Sequence, residues 1–364
     1  MPSEQYTHRN KKLNDAEIAD GEYLVYWMQA SQRVEQNHAL EFAMEWANKL
    51  QTPLVVFFGI TDEYPDANER HYAFMLQGLK ETRRQLEKRG IQLLVQHESP
   101  EKGVVKFARN ARGVVTDRGY TKIQRAWRTE VSDNLTCPFY QVETDVVVPV
   151  EVVSEKREYA ARTIRPKIHK QLDTYLAPVD QVPIDNPSLS LEFDGLDISQ
   201  PDAILQQLHI DRSVSPVEEF TGGYSEAIKH LNVFIENKLS EYDEKRNDPT
   251  TDYLSNMSPY LQFGQISPVE IALKVQDADV PDSAKEAYLE ELIVRRELSM
   301  NFCYYDENYD NLGCIPDWAQ KTLDEHREDP RGYVYSFEEF ENAETHDPYW
   351  NAAQQEMVQT GKMH

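Results

Sequence analysis

Four segments carry residue types at spacings that could do chemistry. The first is 156–170, KREYAARTIRPKIHK, with six Lys or Arg against Glu158. Cations sharing one face contact phosphates, while the same run also reads as a solvated helix end pairing with acidic neighbours. In the second, 242–267, a helix ends at Asn247-Asp248-Pro249, and small hydroxyl and amide residues precede Ser258-Pro259. Backbone N–H groups exposed at a helix start suit a phosphate or diphosphate, and equally suit plain capping. The third, 288–302, sets Glu290, Glu291, Arg295, Arg296 and Glu297 in an otherwise apolar stretch. Glu291 and Arg295 stand i,i+4, so the bland reading is an ion pair worth a few tenths of a kcal/mol. If the helix lines a cavity, these charges become ligand contacts. In the fourth, 345–363, Trp350 follows the helix-starting Asp347-Pro348 and reads either as core or as a stacking or electron-transfer residue.

Other chemistries lack support. The chain has no GxGxxG, GxxxxGK[ST], HExxH or GxSxG motif, which removes dehydrogenase, P-loop and zincin readings. The histidines are scattered, and one such as His169 reads as a surface hydrogen bonder. Cys137, Cys303 and Cys314 show no metal or disulfide spacing, so no metal site is expected and reduced thiols are.

The elements that must position these segments fall into two kinds. Glu22–Trp27, Pro53–Ile60, Ile91–Val95, Gly113–Thr116 and Phe139–Pro149 read as strands alternating with helices over 35–50, 72–89, 102–109 and 125–134. That alternation predicts a Rossmann-like α/β domain over 20–150 with a mostly parallel sheet covered on both faces. The stretch 151–223 is expected to connect the domains, its 180–216 portion being rich in Pro, Ser and Asp. From 224 to 364 only helical periodicity remains, with Ala227, Ile228, Leu231, Phe234, Ile235 and Leu239 on one stripe.

A length of 364 residues suits two domains. The longest apolar run, Leu54–Ile60, is far short of the roughly 20 residues that span a bilayer. The polar start, 1–12, lacks a secretory segment, so a cytoplasmic, membrane-free protein is expected. The net charge of -25 is lopsided, because residues 1–150 hold 19 basic and 21 acidic side chains while the remainder holds 19 and 42. Any nucleic-acid site must therefore be a local basic patch standing against the global field.

Taken together, several stretches resemble the class II cyclobutane pyrimidine dimer DNA photolyases of the photolyase/cryptochrome superfamily, over nearly the whole chain. They are Tyr26-Trp27-Met28 with Arg33-Val34 and Asn37, the run EYAARTIRPKIHK at 158–170, and SNMSPYLQFGQIS at 255–267. LEELIVRRELSMNF at 289–302, Pro316-Asp317-Trp318-Ala319 and THDPYWNA at 345–352 complete the set.

The resemblance implies an α/β domain able to host an antenna chromophore of deazaflavin or folate type, and an all-α domain that holds FAD. Tyr242 and the run Leu254, Ser255, Asn256, Met257 and Ser258 would hold the FAD phosphates and adenosine side, with Arg246 nearby. Glu291 would meet the flipped-out dimer, the helix bearing Arg295 and Arg296 would line the flavin pocket, and Trp350 would be the middle member of a tryptophan chain that photoreduces the flavin. The implied activity is light-driven repair of UV-damaged DNA by electron transfer from reduced FAD, by a monomer needing no protein partner. A cryptochrome-like photoreceptor and an inactive remnant are the alternatives. Family members continue past Gly361-Lys362-Met363-His364 with further helices, so the FAD-binding domain is expected to be incomplete.

Overall fold

The computed structural model describes residues 8–362; residues 1–7 of the polar start, and Met363 and His364, lie outside them. Six strands form one sheet: β1 (Asn10–Lys12), β2 (Tyr23–Trp27), β3 (Leu54–Ile60), β4 (Gln92–His97), β5 (Ala111–Asp117) and β6 (Phe139–Val142). Their spatial order is β1-β6-β5-β2-β3-β4, and every pairing is parallel except β1 against β6. Helices α1 (His38–Lys49), α2 (Glu69–Lys88), α3 (Pro100–Phe107) and α4 (Lys122–Asn134) cover it. Successive residues of a strand point to opposite faces. Leu24 and Tyr26 therefore pack with α1 and α2, whereas Tyr23, Val25 and Trp27 pack with α3 and α4. Burial on both faces explains why β2 and β3 are continuous apolar runs. Asn37 starts α1 by accepting from the Ala39 and Leu40 amides at 3.1 Å.

Two elements differ from the sequence reading. β1 is polar and three residues long, so it carries no periodicity; backbone pairing to the sheet edge makes it a strand. The strand expected over Phe139–Pro149 ends at Val142. Beyond it the amides of Val147 and Val148 donate to the Glu297 carboxylate instead of to a neighbouring strand.

The segment 180–216 lies along edge strand β4. The Leu196 amide donates to the Val95 carbonyl at 2.7 Å, and Ile198, Ile204 and Leu208 join the core under α2. An edge covered in this way cannot pair with another chain. Helices Ala161–His169, Tyr224–Asn237, Pro268–Gln276, Asp282–Leu289 and Arg296–Tyr305 build a second core around Ile164, Ile168, Leu231, Phe234, Tyr260, Ile271 and Ile293. Further on, helices Asp317–Glu325, Phe337–Glu341 and Pro348–Thr360 leave Trp318, Phe337 and Tyr349 exposed. No helix among the described residues is long and apolar enough to cross a membrane.

Arg33 joins the sheet unit to the helical unit. Its side chain is wholly buried and donates to Asp145 Oδ1 at 2.9 Å, the Thr144 carbonyl at 2.7 Å and the Gly264 carbonyl at 2.9 Å. Gly264 has φ +61°, and a Cβ there would stand 1.9 Å from the Ala30 carbonyl oxygen, so this approach of the two loops requires glycine. A second carboxylate, Glu297, reaches from the helical unit and accepts the Val147 amide at 2.5 Å. Burial raises its pKa from 4.5 to about 7. Burial likewise raises Asp117 from 3.8 to about 6, while it accepts from the Gln29 and Ala30 amides and the Tyr26 hydroxyl.

Removing one partner of a buried pair strands the other charge. Arg33→Met should therefore lower the unfolding free energy in urea by about 3–5 kcal/mol, whereas Arg83→Met, at a partly exposed pair with Glu87 and Asp197, should change it by less than about 1 kcal/mol. A pH dependence also follows. Glu297 and Asp117 bind protons more tightly folded than unfolded, so their contribution is present below about pH 4 and is lost as pH rises through about 6 for Asp117 and about 7 for Glu297. Between pH 6 and 7 Glu297 carries most of that loss, on the order of 1 kcal/mol; Glu297→Gln should flatten the stability curve there, and an unchanged slope would remove the assignment.

Candidate functional site

A cavity of about 860 Å³ opens between the two units. The sheet unit contributes Ala30 from the loop after β2, Arg70, His71 and Phe74 from α2, and Arg118 to Thr121 from the loop after β5. The helical unit contributes Tyr242, the run Leu254 to Pro259, Tyr288, Glu291 and Arg296. Four cations, Arg70, Arg118, Arg296 and Lys362, face two carboxylates, Asp145 and Glu291. Arg118 is neutralised by Glu143 and Glu151 and Lys362 pairs with Asp252, so Arg70 and Arg296, whose bonds go to backbone carbonyls, are the cations left for an anionic ligand.

Specific bonds hold these groups in place. Arg118 donates to Glu143 Oε1 at 2.5 Å and Glu151 Oε2 at 2.9 Å, with its guanidinium 4.4 Å from the Tyr304 ring centroid. Tyr120 donates to Glu143 Oε2 at 2.6 Å. Arg296 donates to the Asp145 carbonyl, and Asp145 Oδ1 accepts from Ser31 and Arg33. His71 Nδ1 accepts the Asn68 amide at 3.2 Å. Partial burial, with Arg70 alongside, lowers the His71 pKa, so the neutral ring carries its proton on Nε2.

The helix from 282 to 305 is interrupted by a π-helical turn over Glu290–Arg295. A π turn moves the same-face partner from i+4 to i+5. Arg295 therefore donates to Glu290 at 3.2 Å, and Arg165 takes the same carboxylate at 2.6 and 2.9 Å. The intrahelical pair expected between Glu291 and Arg295 does not form in this geometry, and Glu291 lines the cavity instead.

The structure brings Tyr242, Leu254, Ser255, Asn256, Met257, Ser258 and Glu291 together around this cavity. Arg246 packs over Tyr242 with 5.7 Å to the ring centroid, behind the wall. Arg295 points outward, its side chain 55 % exposed, and Arg296 is the arginine of this helix that reaches the cavity. Trp350 packs against Phe340 and is 43 % exposed, so among the described residues it is not a core residue. In the basic segment, Arg157 pairs with Asp306, Arg165 with Glu290 and Lys167 with Glu158, while Lys156, Arg162 and Lys170 stand exposed.

Sequence reasoning missed Arg118, Tyr120 and Asp145, although one rule points to the first two. In open α/β sheets ligands gather beyond the carboxyl ends of strands where the strand order reverses. Here the reversal lies between β5 and β2, and Arg118 and Tyr120 directly follow β5. A second cavity, about 400 Å³, sits over the carboxyl ends of β2 and β3. Tyr64 and Trp127 wall it, ring centroids 6.0 Å apart, and both amide atoms of Gln29 are buried there without a partner. The two cavities share Ala30, Tyr64, His71, Gln124, Gln262 and Phe263. Among the described residues no cluster of His, Cys, Asp and Glu could hold a metal ion.

Comparison with known proteins accords with this architecture. A DNA photolyase family profile matches residues 24–187. The deoxyribodipyrimidine photo-lyase of Methanothermobacter thermautotrophicus is 47% identical over 363 residues, covering 99% of this chain and 79% of that protein. That of Potorous tridactylus is 39% identical over 346 residues, covering 93% of this chain and 64% of its own length. Among solved structures, a Synechocystis cryptochrome superposes with a TM-score of 0.75 at 19% identity, over 94% of this chain and 72% of its own, which is a likeness of fold. Identity of this extent with the archaeal relative, together with a matching fold, makes the chain a member of the DNA photolyase family.

Proposed function

We propose that this chain is a class II photolyase that repairs cyclobutane pyrimidine dimers in DNA under light, using reduced FAD held in the larger cavity. The observation that carries the reading is the cavity itself, which brings Arg70 and Arg296, Tyr242 and Tyr288, the run 254–258 and Glu291 to one space between the two units. The residues present fit the cofactor. A volume of about 860 Å³ lies within the range of cofactor sites. Arg70 and Arg296 supply charge for a diphosphate, and Tyr242 and Tyr288, with ring centroids 5.3 Å apart, supply an apolar wall. Residues 254–258 would hold the phosphates and adenosine side. Bound FAD supplies one-electron chemistry under light.

The protein's own part is to extrude, hold and shield. A dimer flipped out of the duplex has less stacking to lose than an intact pair. Glu291, set free by the π turn, offers a carboxylate at the cavity to accept a hydrogen bond from the flipped bases. Lys156, Arg162 and Lys170 are the exposed cations available to DNA phosphates, and binding through three such contacts falls with salt at a slope of about -3. The smaller cavity, over the carboxyl ends of β2 and β3, suits an antenna of deazaflavin or folate type against the wall that Tyr64 and Trp127 form. Trp350 serves as a relay that passes electrons toward the flavin when it is oxidised. The protein works as a monomer in the cytoplasm.

The test is reversal of dimers in a UV-irradiated oligonucleotide by the flavin-loaded chain, in light and in darkness. Light-dependent reversal is expected; flavin photoreduction without reversal would instead favour a photoreceptor. Glu291→Ala should reduce repair by about tenfold or more, the value of one lost hydrogen bond to a charged group, while retaining flavin. Equal loss of both would defeat the role given to Glu291. Trp350→Phe should slow photoreduction of oxidised flavin and spare repair by chemically reduced protein.

A further inference from the structure

Trp350 does not end in solvent alone. Its ring meets Phe340 at a centroid distance of 5.2 Å, and Phe340 meets Tyr335 at 5.5 Å, both edge-on at 75°. The Tyr335 hydroxyl lies 2.7 Å from His346 Nδ1 and accepts the His346 backbone amide at 2.9 Å. In the tautomer that carries its proton on Nε2, Nδ1 accepts the phenolic proton across this 2.7 Å contact. Tyr333 stacks on the other side of the imidazole at 3.6 Å and 13°. The surrounding turns are pinned: Ser336 caps the helix Phe337–Glu341, and the Thr345 hydroxyl donates to Asn351 Oδ1 at 2.7 Å. Tyr335 is half-buried, so its phenol is held in one geometry close to the surface.

We propose that Tyr335 and His346 form a proton-coupled redox pair that receives the oxidising equivalent from Trp350. The proposal rests on the reading of Trp350 as an electron relay. The step balances within the chain: one electron passes from the Tyr335 phenol to the Trp350 radical cation across Phe340, and the phenolic proton moves to His346 Nδ1. The products are neutral Trp350, a neutral Tyr335 phenoxyl radical and an imidazolium at His346. The oxidant that first takes an electron from Trp350 is a one-electron photo-oxidant, by class a photoexcited oxidised flavin. A neutral phenoxyl returns its electron demand only when the proton comes back, so the pair prolongs charge separation and leaves the hole where a reductant in solution reaches it. Packing alone would need neither the hydroxyl nor Nδ1.

The experiment uses the 364-residue chain and a soluble ruthenium trisbipyridine photo-oxidant with a sacrificial acceptor, so it reads the pair whether or not flavin is bound. Transient absorption and electron paramagnetic resonance follow indole and phenoxyl radicals after the flash. In the wild type the indole radical should decay as a phenoxyl radical rises. Tyr335→Phe should lengthen the indole radical lifetime by about tenfold or more, a barrier change of about 1.4 kcal/mol, and remove the phenoxyl rise. His346→Phe, which keeps the stack on Tyr333 but removes Nδ1, should lengthen it comparably, and Trp350→Phe should suppress the rise. Unchanged indole lifetime in Tyr335→Phe, or in His346→Phe, overturns the pair. A phenoxyl yield that persists in Trp350→Phe overturns its connection to Trp350. Failure of Trp350→Phe to slow flavin photoreduction would instead strike the relay reading on which the proposal stands.

Discussion

The buried guanidinium of Arg33 is the constraint on which the rest of the arrangement depends. It sits in the loop between β2 and α1, yet two of its acceptors belong to the segment after β6 and one to the helical unit. Desolvating such a charge is costly, and the bonds of its two terminal nitrogens offset that cost while Nε has no partner, so the three loops must keep the geometry that those bonds require. Those loops carry Ala30, Asp145 and Phe263, which are cavity residues. The shape of the larger cavity thus follows from the same bonds that join the two units. Gly264 permits the closest approach, and Glu297 and Arg9 repeat the stitching one layer away, on the carbonyls and amides of Val146 to Val148.

Charge is organised on two scales. The chain as a whole repels polyanions, and the acidic excess lies beyond residue 150. Locally the cavity collects Arg70, Arg118, Arg296 and Lys362 from four separate parts of the chain, Arg118 and Lys362 being paired with carboxylates and Arg70 and Arg296 not. Within a low-dielectric cleft a few such charges outweigh a larger number spread over solvated surface, because screening by water and salt acts mainly on the latter. The basic run at 156–170 shows the complementary effect: half of its cations are spent on Asp306, Glu290 and Glu158. Arg165 in turn occupies Glu290, which helps to leave its neighbour Glu291 turned to the cavity.

What the sequence made legible depended on whether a local pattern carried the information. The apolar runs of β2 and β3, the caps and the amphipathic stripe of Tyr224–Asn237 are local, and the layered α/β unit and the helical unit could be read from them. The run 254–258, Tyr242 and Glu291 were legible through long motifs in order. Nothing local distinguishes Asp145 from a strand residue, since its role arises from contacts with Arg33 and Ser31 more than 110 positions away. Likewise an i,i+4 pair of Glu291 with Arg295 is the sound expectation for an α-helix. Only the extra residue in the π turn hands the arginine to Glu290. Tyr335 and His346, eleven positions apart in a polar stretch without periodicity, become a pair only through the turns that fold them together.

The central claim is that the cavity between the two units holds a flavin, and the visible absorption spectrum of the purified 364-residue chain tests it most directly. After reconstitution with FAD and removal of free cofactor, the account predicts flavin absorption bands that comigrate with monodisperse protein and weaken when Arg296→Ala removes one of the cavity cations. A monodisperse protein that remains colourless after reconstitution would contradict it.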